Sequence, residues 1–215
     1  MPTSTPVSAM RKPDRRILRT RRALRDALTA LILEQGYASI TVQDITDRAD
    51  LNRGTLYLHY RDKQDLLLSS SRDVCDELLA QLAPISTRNL GMDVPERHLT
   101  IVFQHVADHV DFYRVMFGDQ GVPAFGAQIR RIVSQAGLGR LRALRKLAKG
   151  RPFSLELVAS FSGGAIIGVI EWWLEHGLTP APDVLARQTL ELTVQGVYPM
   201  LGLERLVQPG ARHAG

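Results

Sequence analysis

From Arg15 onward the apolar positions of the chain recur every three or four residues. Leu24, Ala27, Leu28 and Leu31, flanked by Ile17 and Ile32, mark one face of a helix that ends at Gln35 before Gly36. Glycine is a natural stop there because it accepts the left-handed backbone beyond a helix C-terminus. The pattern then shortens. Thr41, with Asp44 three residues on, signals an N-cap with an acidic first turn and opens a helix through Ile45 to Ala49. Asp50 and Leu51 make a tight connection, since aspartate tolerates a left-handed conformation, and Asn52 caps a second short helix from Arg53 to Tyr60. Leu28, Leu31, Ile40, Ile45, Ala49, Leu51 and Leu56 suffice for a closed three-helix core. A long helix followed by two short ones joined at a tight turn has the order of a helix-turn-helix.

The remaining periodicity predicts only helices. They run from Asp62 to Leu82 (apolar line Leu66, Leu67, Val74, Leu78 and Leu82), Glu96 to Phe117, Val122 to Gln135, Leu138 to Lys149, Ser154 to His176 and Asp183 to Leu201, with a loop over 85–95. No stretch alternates as a strand. The predicted fold is therefore all-α: a helix-turn-helix domain over 15–68, its turn region at about 41–60, and a larger helical domain over 69–205. Residues 1–14, with three prolines and no apolar period, read as a disordered leader, and 206–215 as a disordered tail.

Charge adds a partner. Residues 1–63 hold 12 Lys and Arg against 7 Asp and Glu, whereas 64–215 balance at 15 against 15. Eight of the basic residues, Arg11, Lys12, Arg15, Arg16, Arg19, Arg21, Arg22 and Arg25, crowd fifteen positions. That density favours a polyanion, either nucleic acid or an anionic membrane, although a solvated helix face has the same composition. A membrane-binding helix would keep one broad apolar face for lipid. Here the apolar positions are used to close a core, so nucleic acid is favoured and no membrane partner is expected. The single cysteine, Cys75, excludes an internal disulfide, and arginines occupy the early stretch where a signal peptide needs an apolar core. A reducing cytoplasm is expected.

The run Ile40-Thr41-Val42-Gln43-Asp44-Ile45, then Ala49 to Tyr60 with Gly54-Thr55-Leu56-Tyr57, and on to Lys63, Asp65 and Leu66, resembles the DNA-binding domain of TetR-family transcriptional regulators across residues 16–68. Asp50 replaces the family's usual Gly, and Asn52 its commoner Ser; both substitutes serve the same turn and cap. Carried over position by position, the resemblance implies that Gln43, Arg53, Gly54, Thr55 and Leu58 face bases. It places Thr41, Tyr57, His59 and Lys63 at phosphates. Arginine suits guanine O6 and N7, glutamine suits adenine, and leucine suits a thymine methyl. Tyr60 is expected in the core. Gly54 in a short helix costs about 1 kcal/mol against alanine, which close backbone approach to DNA explains.

Ser160, Gly164 and Gly168, at spacing four, place small residues on one helix face, as a tight helix pair requires. The same resemblance implies that the last two long helices pair with their copies in a homodimer, with Trp172 on that face, reading palindromic double-stranded DNA. It also implies a small-molecule effector pocket, for which Phe103, His105, Tyr113, Phe117, Phe125 and Phe161 are candidates. His98, His105 and His109 lie within roughly 40° of one another on their helix. Two histidines at i, i+4 can bind a metal, but a zinc site wants a third or fourth ligand, and Asp108 and Asp111 point elsewhere. No metal and no cofactor is expected. The stretch 120–155 carries Arg130, Arg131, Arg140, Arg142, Arg145, Lys146, Lys149 and Arg151 with no acid; it would flank DNA, attract an anionic effector or simply be a solvated face.

The expected function is thus a homodimeric repressor released from its operator by an effector. The alternative is a DNA-binding co-activator or effector-blind regulator whose C-terminal domain holds a protein partner. An enzyme is not expected, because no phosphate loop, zinc-protease motif or nucleophile elbow is present.

Overall fold

The computed structural model describes residues 15–84, 93–118, 123–144 and 154–200. The expected leader and tail, most of the 85–95 loop and the far end of the basic stretch lie outside the described residues. Regular structure among the described residues is entirely helical. The chain divides into two compact units, Met1–Leu67 and Leu68–Gly215.

The first unit is ordered by local chemistry. Helix α1 (Arg15–Gln35) buries Leu24, Ala27, Leu28, Leu31 and Ile32, and stops where Gly36 turns to φ +76°. After a single 3-10 turn at Tyr37–Ser39, Thr41 caps α2 (Val42–Arg48). Its hydroxyl accepts from the Asp44 amide at 3.2 Å, and the Asp44 carboxylate accepts from the Thr41 amide at 2.7 Å. The Thr41 amide, and then the Thr41 hydroxyl, which donates to the same carboxylate at 2.8 Å, hold the Asp44 carboxyl below the usual carboxylate range. Asp50 takes the left-handed conformation at φ +54°, and the Asn52 carboxamide accepts from the Thr55 amide at 2.8 Å to cap α3 (Arg53–Tyr57).

Ile45 and Leu56 are fully buried in this core. The Arg48 guanidinium forks onto the Glu34 carboxylate, tying the end of α2 to the end of α1 and holding the Glu34 carboxyl below its ordinary range. Removing the Asn52 cap should cost about 1 kcal/mol. Asn52→Ala is therefore expected to lower the urea midpoint of this unit without altering its helical spectrum at zero denaturant.

Helix α3 ends at Tyr57, three residues earlier than the periodicity predicts. Tyr60 turns inward to 3% exposure, and its hydroxyl accepts from Arg21 Nε at 3.0 Å, tying it to α1. Asp62 then caps α4 (Lys63–Leu82), accepting from the Asp65 amide at 2.8 Å, and the unit boundary falls inside this helix.

In the second unit α5 (Asp93–Asp108) packs on α9 (Pro182–Met200), and α7 (Pro123–Leu144) packs on α8 (Leu155–Glu175), with α6 (Val110–Phe117) against α7 and α8. Three predicted elements change. The single helix expected to Phe117 breaks at His109, which leaves the helical region at φ −123°, ψ 32°. The two helices expected from Val122 to Lys149 are one through Leu144, because Gly137 stays helical and packing on α8 offsets its low propensity.

Close approach of α7 and α8 depends on Gly163, not on the neighbouring stripe of small residues. A Cβ at Gly163 would lie 2.1 Å from Ser134 Oγ and 3.3 Å from the Arg130 carbonyl oxygen. Helix α8 is long and apolar enough to cross a membrane by length and composition. Eight of its residues, from Leu155 to Leu174, are instead buried in this unit.

Candidate nucleic-acid interface and C-terminal cluster

The capped turn between α2 and α3 makes an open groove in which Gln43 and Arg53 come together with Asp47 and Asp50. Gln43 Nε2 donates to Asp47 Oδ1 at 2.6 Å, which orients the carboxamide. Arg53 is exposed and reaches the Tyr57 hydroxyl at 3.5 Å. Leu58 stands 82% exposed just past the end of α3 and Tyr57, its last residue, 51%, so both offer apolar surface to a partner. Thr55 gives its hydroxyl hydrogen to Asn52 at 3.1 Å. Arg15, Arg16, Arg19 and Arg22 are exposed along the start of α1.

Three expected contacts find other uses in the structure. Lys63, expected at a phosphate, directs its ammonium into the protein: it donates to the carbonyls of Ile40 at 2.7 Å and Tyr37 at 2.9 Å, over the Tyr37 ring. It thereby fastens the segment joining α1 to α2. The hydroxyl and amide of Thr41 are both held by Asp44, whose carboxylate occupies the α2 N-terminus where a phosphate would dock. Gly54 also has an internal reason to be small, since a Cβ there would sit 3.2 Å from Asn52 Oδ1. His59 is half-buried beside Tyr60.

In the second unit the candidate pocket residues separate. Tyr113, Phe117 and Phe125, joined by Phe112, form one cluster with ring centroids 5.6–6.5 Å apart. Phe103 packs edge-on against Trp173 at 5.8 Å. His105 is fully buried, and its Nδ1 lies 3.1 Å from the Tyr113 hydroxyl. Burial, and then the nearby Cys75 and Glu77, push the Tyr113 phenol above its ordinary value.

Phe161 does not join this cluster. It is 66% exposed on α8, on the same face as Leu157, Gly164, Gly168 and Trp172, all within an arc of about 80° at 100° per residue. Of the predicted dimer residues, Ser160 alone turns aside, lining the cleft against α7 with Arg130 and Arg131. Arg130, Arg131 and Arg142 are exposed, and Arg142 approaches Glu156 at 3.9 Å. Cys75, which the sequence places in a polar stretch, is fully buried; burial and then Asp76 push its thiol up to about 12, so it stays protonated.

Two family descriptions match. Residues 24–69 fit the bacterial regulatory proteins of the tetR family, and residues 93–195 fit a transcriptional regulator C-terminal region. The chain belongs to the TetR family of transcriptional regulators. Among curated relatives, the uncharacterized HTH-type transcriptional regulator YxbF of Bacillus subtilis is 29% identical over 180 residues, covering 83% of this chain and 45% of that protein. The chain spans about half the length of the curated relatives it matches, at 45% of YxbF and 55% of YuxN.

The fatty acid degradation regulator FadR from Bacillus halodurans superposes with a TM-score of 0.65 at 18% identity, over 88% of this chain and 98% of that one. A tetR-family regulatory protein from Rhodococcus RHA1 gives 0.66 at 23% identity, over 83% and 96%. These structures share the fold.

Proposed function

We propose that this TetR-family chain is a cytoplasmic, homodimeric repressor that binds a palindromic operator and is released by a small-molecule effector. The observation that carries the DNA reading is the exposed row on and just after α3, where Arg53, Tyr57 and an 82%-exposed Leu58 project beside Gln43. The carboxylates of Asp47 and Asp50 repel phosphate from the groove, so Gln43 and Arg53 meet base edges there while the arginines of α1 hold the backbone. Thr55 and Gly54 allow α3 to approach closely, with Tyr57 and His59 at its flank.

Dimerisation uses the open face of α8, and the operator's symmetry follows from the two-fold axis. The effector enters the aromatic cluster of Tyr113, Phe117 and Phe125, with Phe103 and His105 beside it. It must bind one setting of α4 more tightly than the other to change DNA affinity.

Arg53→Ala tests the base-reading role. It is expected to cost roughly 1–3 kcal/mol and to relax preference at one base pair in each half-site. Titration against operators varied at single positions would show this as a flattened preference at that position alone. An equal loss on every sequence would assign Arg53 to the backbone.

A further inference from the structure

We propose that Glu77, His105 and His109 form a binding site for a divalent transition-metal ion of the zinc class. The three side chains come from two helices, Glu77 from α4 and the histidine pair from α5 and its end, and their ligand atoms all lie within 4.8 Å of one another. His109 Nε2 and Glu77 Oε2 are already 3.2 Å apart. Two ligands at about 2.0–2.2 Å from a tetrahedral zinc stand roughly 3.3 Å from each other, so that pair has the required spacing and His105 needs a shift of about an ångström or so. The rings of His105 and His109 are 4.6 Å apart at 48°, as two imidazoles converging on one point would be.

The surroundings have the chemistry of such a site. Metal-bound histidines hold their second ring nitrogen in a hydrogen bond that fixes the tautomer. Here His105 Nδ1 is held by the Tyr113 hydroxyl at 3.1 Å, which assigns Nε2 to the ion. His105 is fully buried and His109 half-buried, while Glu77 is open enough to give an entry path. Two imidazoles and one carboxylate suit zinc and its first-row neighbours rather than calcium or magnesium, which prefer all-oxygen shells. Three protein ligands leave a fourth position for water or for an oxygen or nitrogen of a chelating small molecule. The proposal stands on this geometry and does not depend on operator binding.

The test is zinc titration, by calorimetry, of full-length protein first stripped with a chelator, with cobalt as an optical probe of coordination number. One ion per chain and a low-coordinate cobalt spectrum are expected. Glu77→Gln and His109→Gln should each weaken zinc about 100-fold or more, and Tyr113→Phe about tenfold. His98→Gln, whose Nδ1 is bonded to the Val94 carbonyl at 2.7 Å, should leave affinity unchanged. Circular dichroism of each variant checks its fold. Absence of zinc binding by the folded wild type would overturn the proposal and leave a Glu77–His109 ion pair. Equal weakening by His98→Gln, or none by Glu77→Gln, would overturn it as well. DNA binding measured on the same samples reads the operator proposal separately.

Discussion

Gly164→Arg is expected to leave the chain folded and to abolish tight operator binding. A Cβ at Gly164 meets nothing within 4 Å inside the protomer, and replacing a helical glycine gains up to about 1 kcal/mol of propensity. The added guanidinium would stand among Leu157, Phe161, Gly168 and Trp172, the apolar and small face on which the proposed dimer closes. A buried charge without a partner at a two-fold axis is met twice, once from each copy. The monomer then holds one half-site, and losing the second costs about 10²–10⁴-fold in apparent affinity. Sedimentation and operator titration of the same sample would show a monomer with weakened binding. A variant that remains dimeric with full affinity would move the interface away from α8.

Trp173→Ala should be the most damaging single change to the second unit. The indole is fully buried, its Nε1 donates to the Pro180 carbonyl at 2.7 Å, and its ring meets Phe103 edge-on. Truncating such a side chain costs about 3–5 kcal/mol, a large part of the 5–15 kcal/mol that holds a domain folded. The expected result is a urea midpoint lowered by a molar or more, since a small domain's stability falls by about 1–3 kcal/mol per molar urea. The neighbouring Trp172→Ala, 44% exposed in the protomer and on the proposed dimer face, should move the midpoint of the dilute monomer far less. Equal effects from both on the dilute monomer would contradict the contrast in burial between the two indoles.

The contrast between adjacent residues explains what was legible in the sequence. In the first unit the signals are local: Thr41 and Asp44 close a cap within one turn, Asp50 adopts the left-handed turn its chemistry permits, and Asn52 reaches an amide three residues away. Nothing distant is needed to read them. In the second unit the deciding contacts are distant. Periodicity marks Ser160, Gly164 and Gly168 as a small-residue stripe, but the glycine that admits a neighbouring helix is Gly163, because Ser134 and Arg130 of α7 lie against it. Phe161 has the composition of a pocket residue and the position of an open-face one.

The same holds for the polar residues. Spacing alone pairs His105 with His109, while the third group, Glu77, lies 28 residues before the nearer histidine and is brought there only by α4. Lys63 occupies the position at which the family resemblance implies a phosphate contact. The carbonyls its ammonium reaches, at Tyr37 and Ile40, belong to a segment more than twenty residues upstream. Family resemblance locates such residues; the fold determines what they touch.

Selection of bound DNA from a random pool by the purified protein, at near-physiological salt, tests the central claim most directly. A sequence-specific dimer predicts a palindromic consensus whose half-sites are centred about one helical turn or a multiple of it apart. Recovery of no consensus, with binding that disappears as salt rises, would mean that the basic face of α1 holds only the phosphate backbone, and would contradict the operator-binding account.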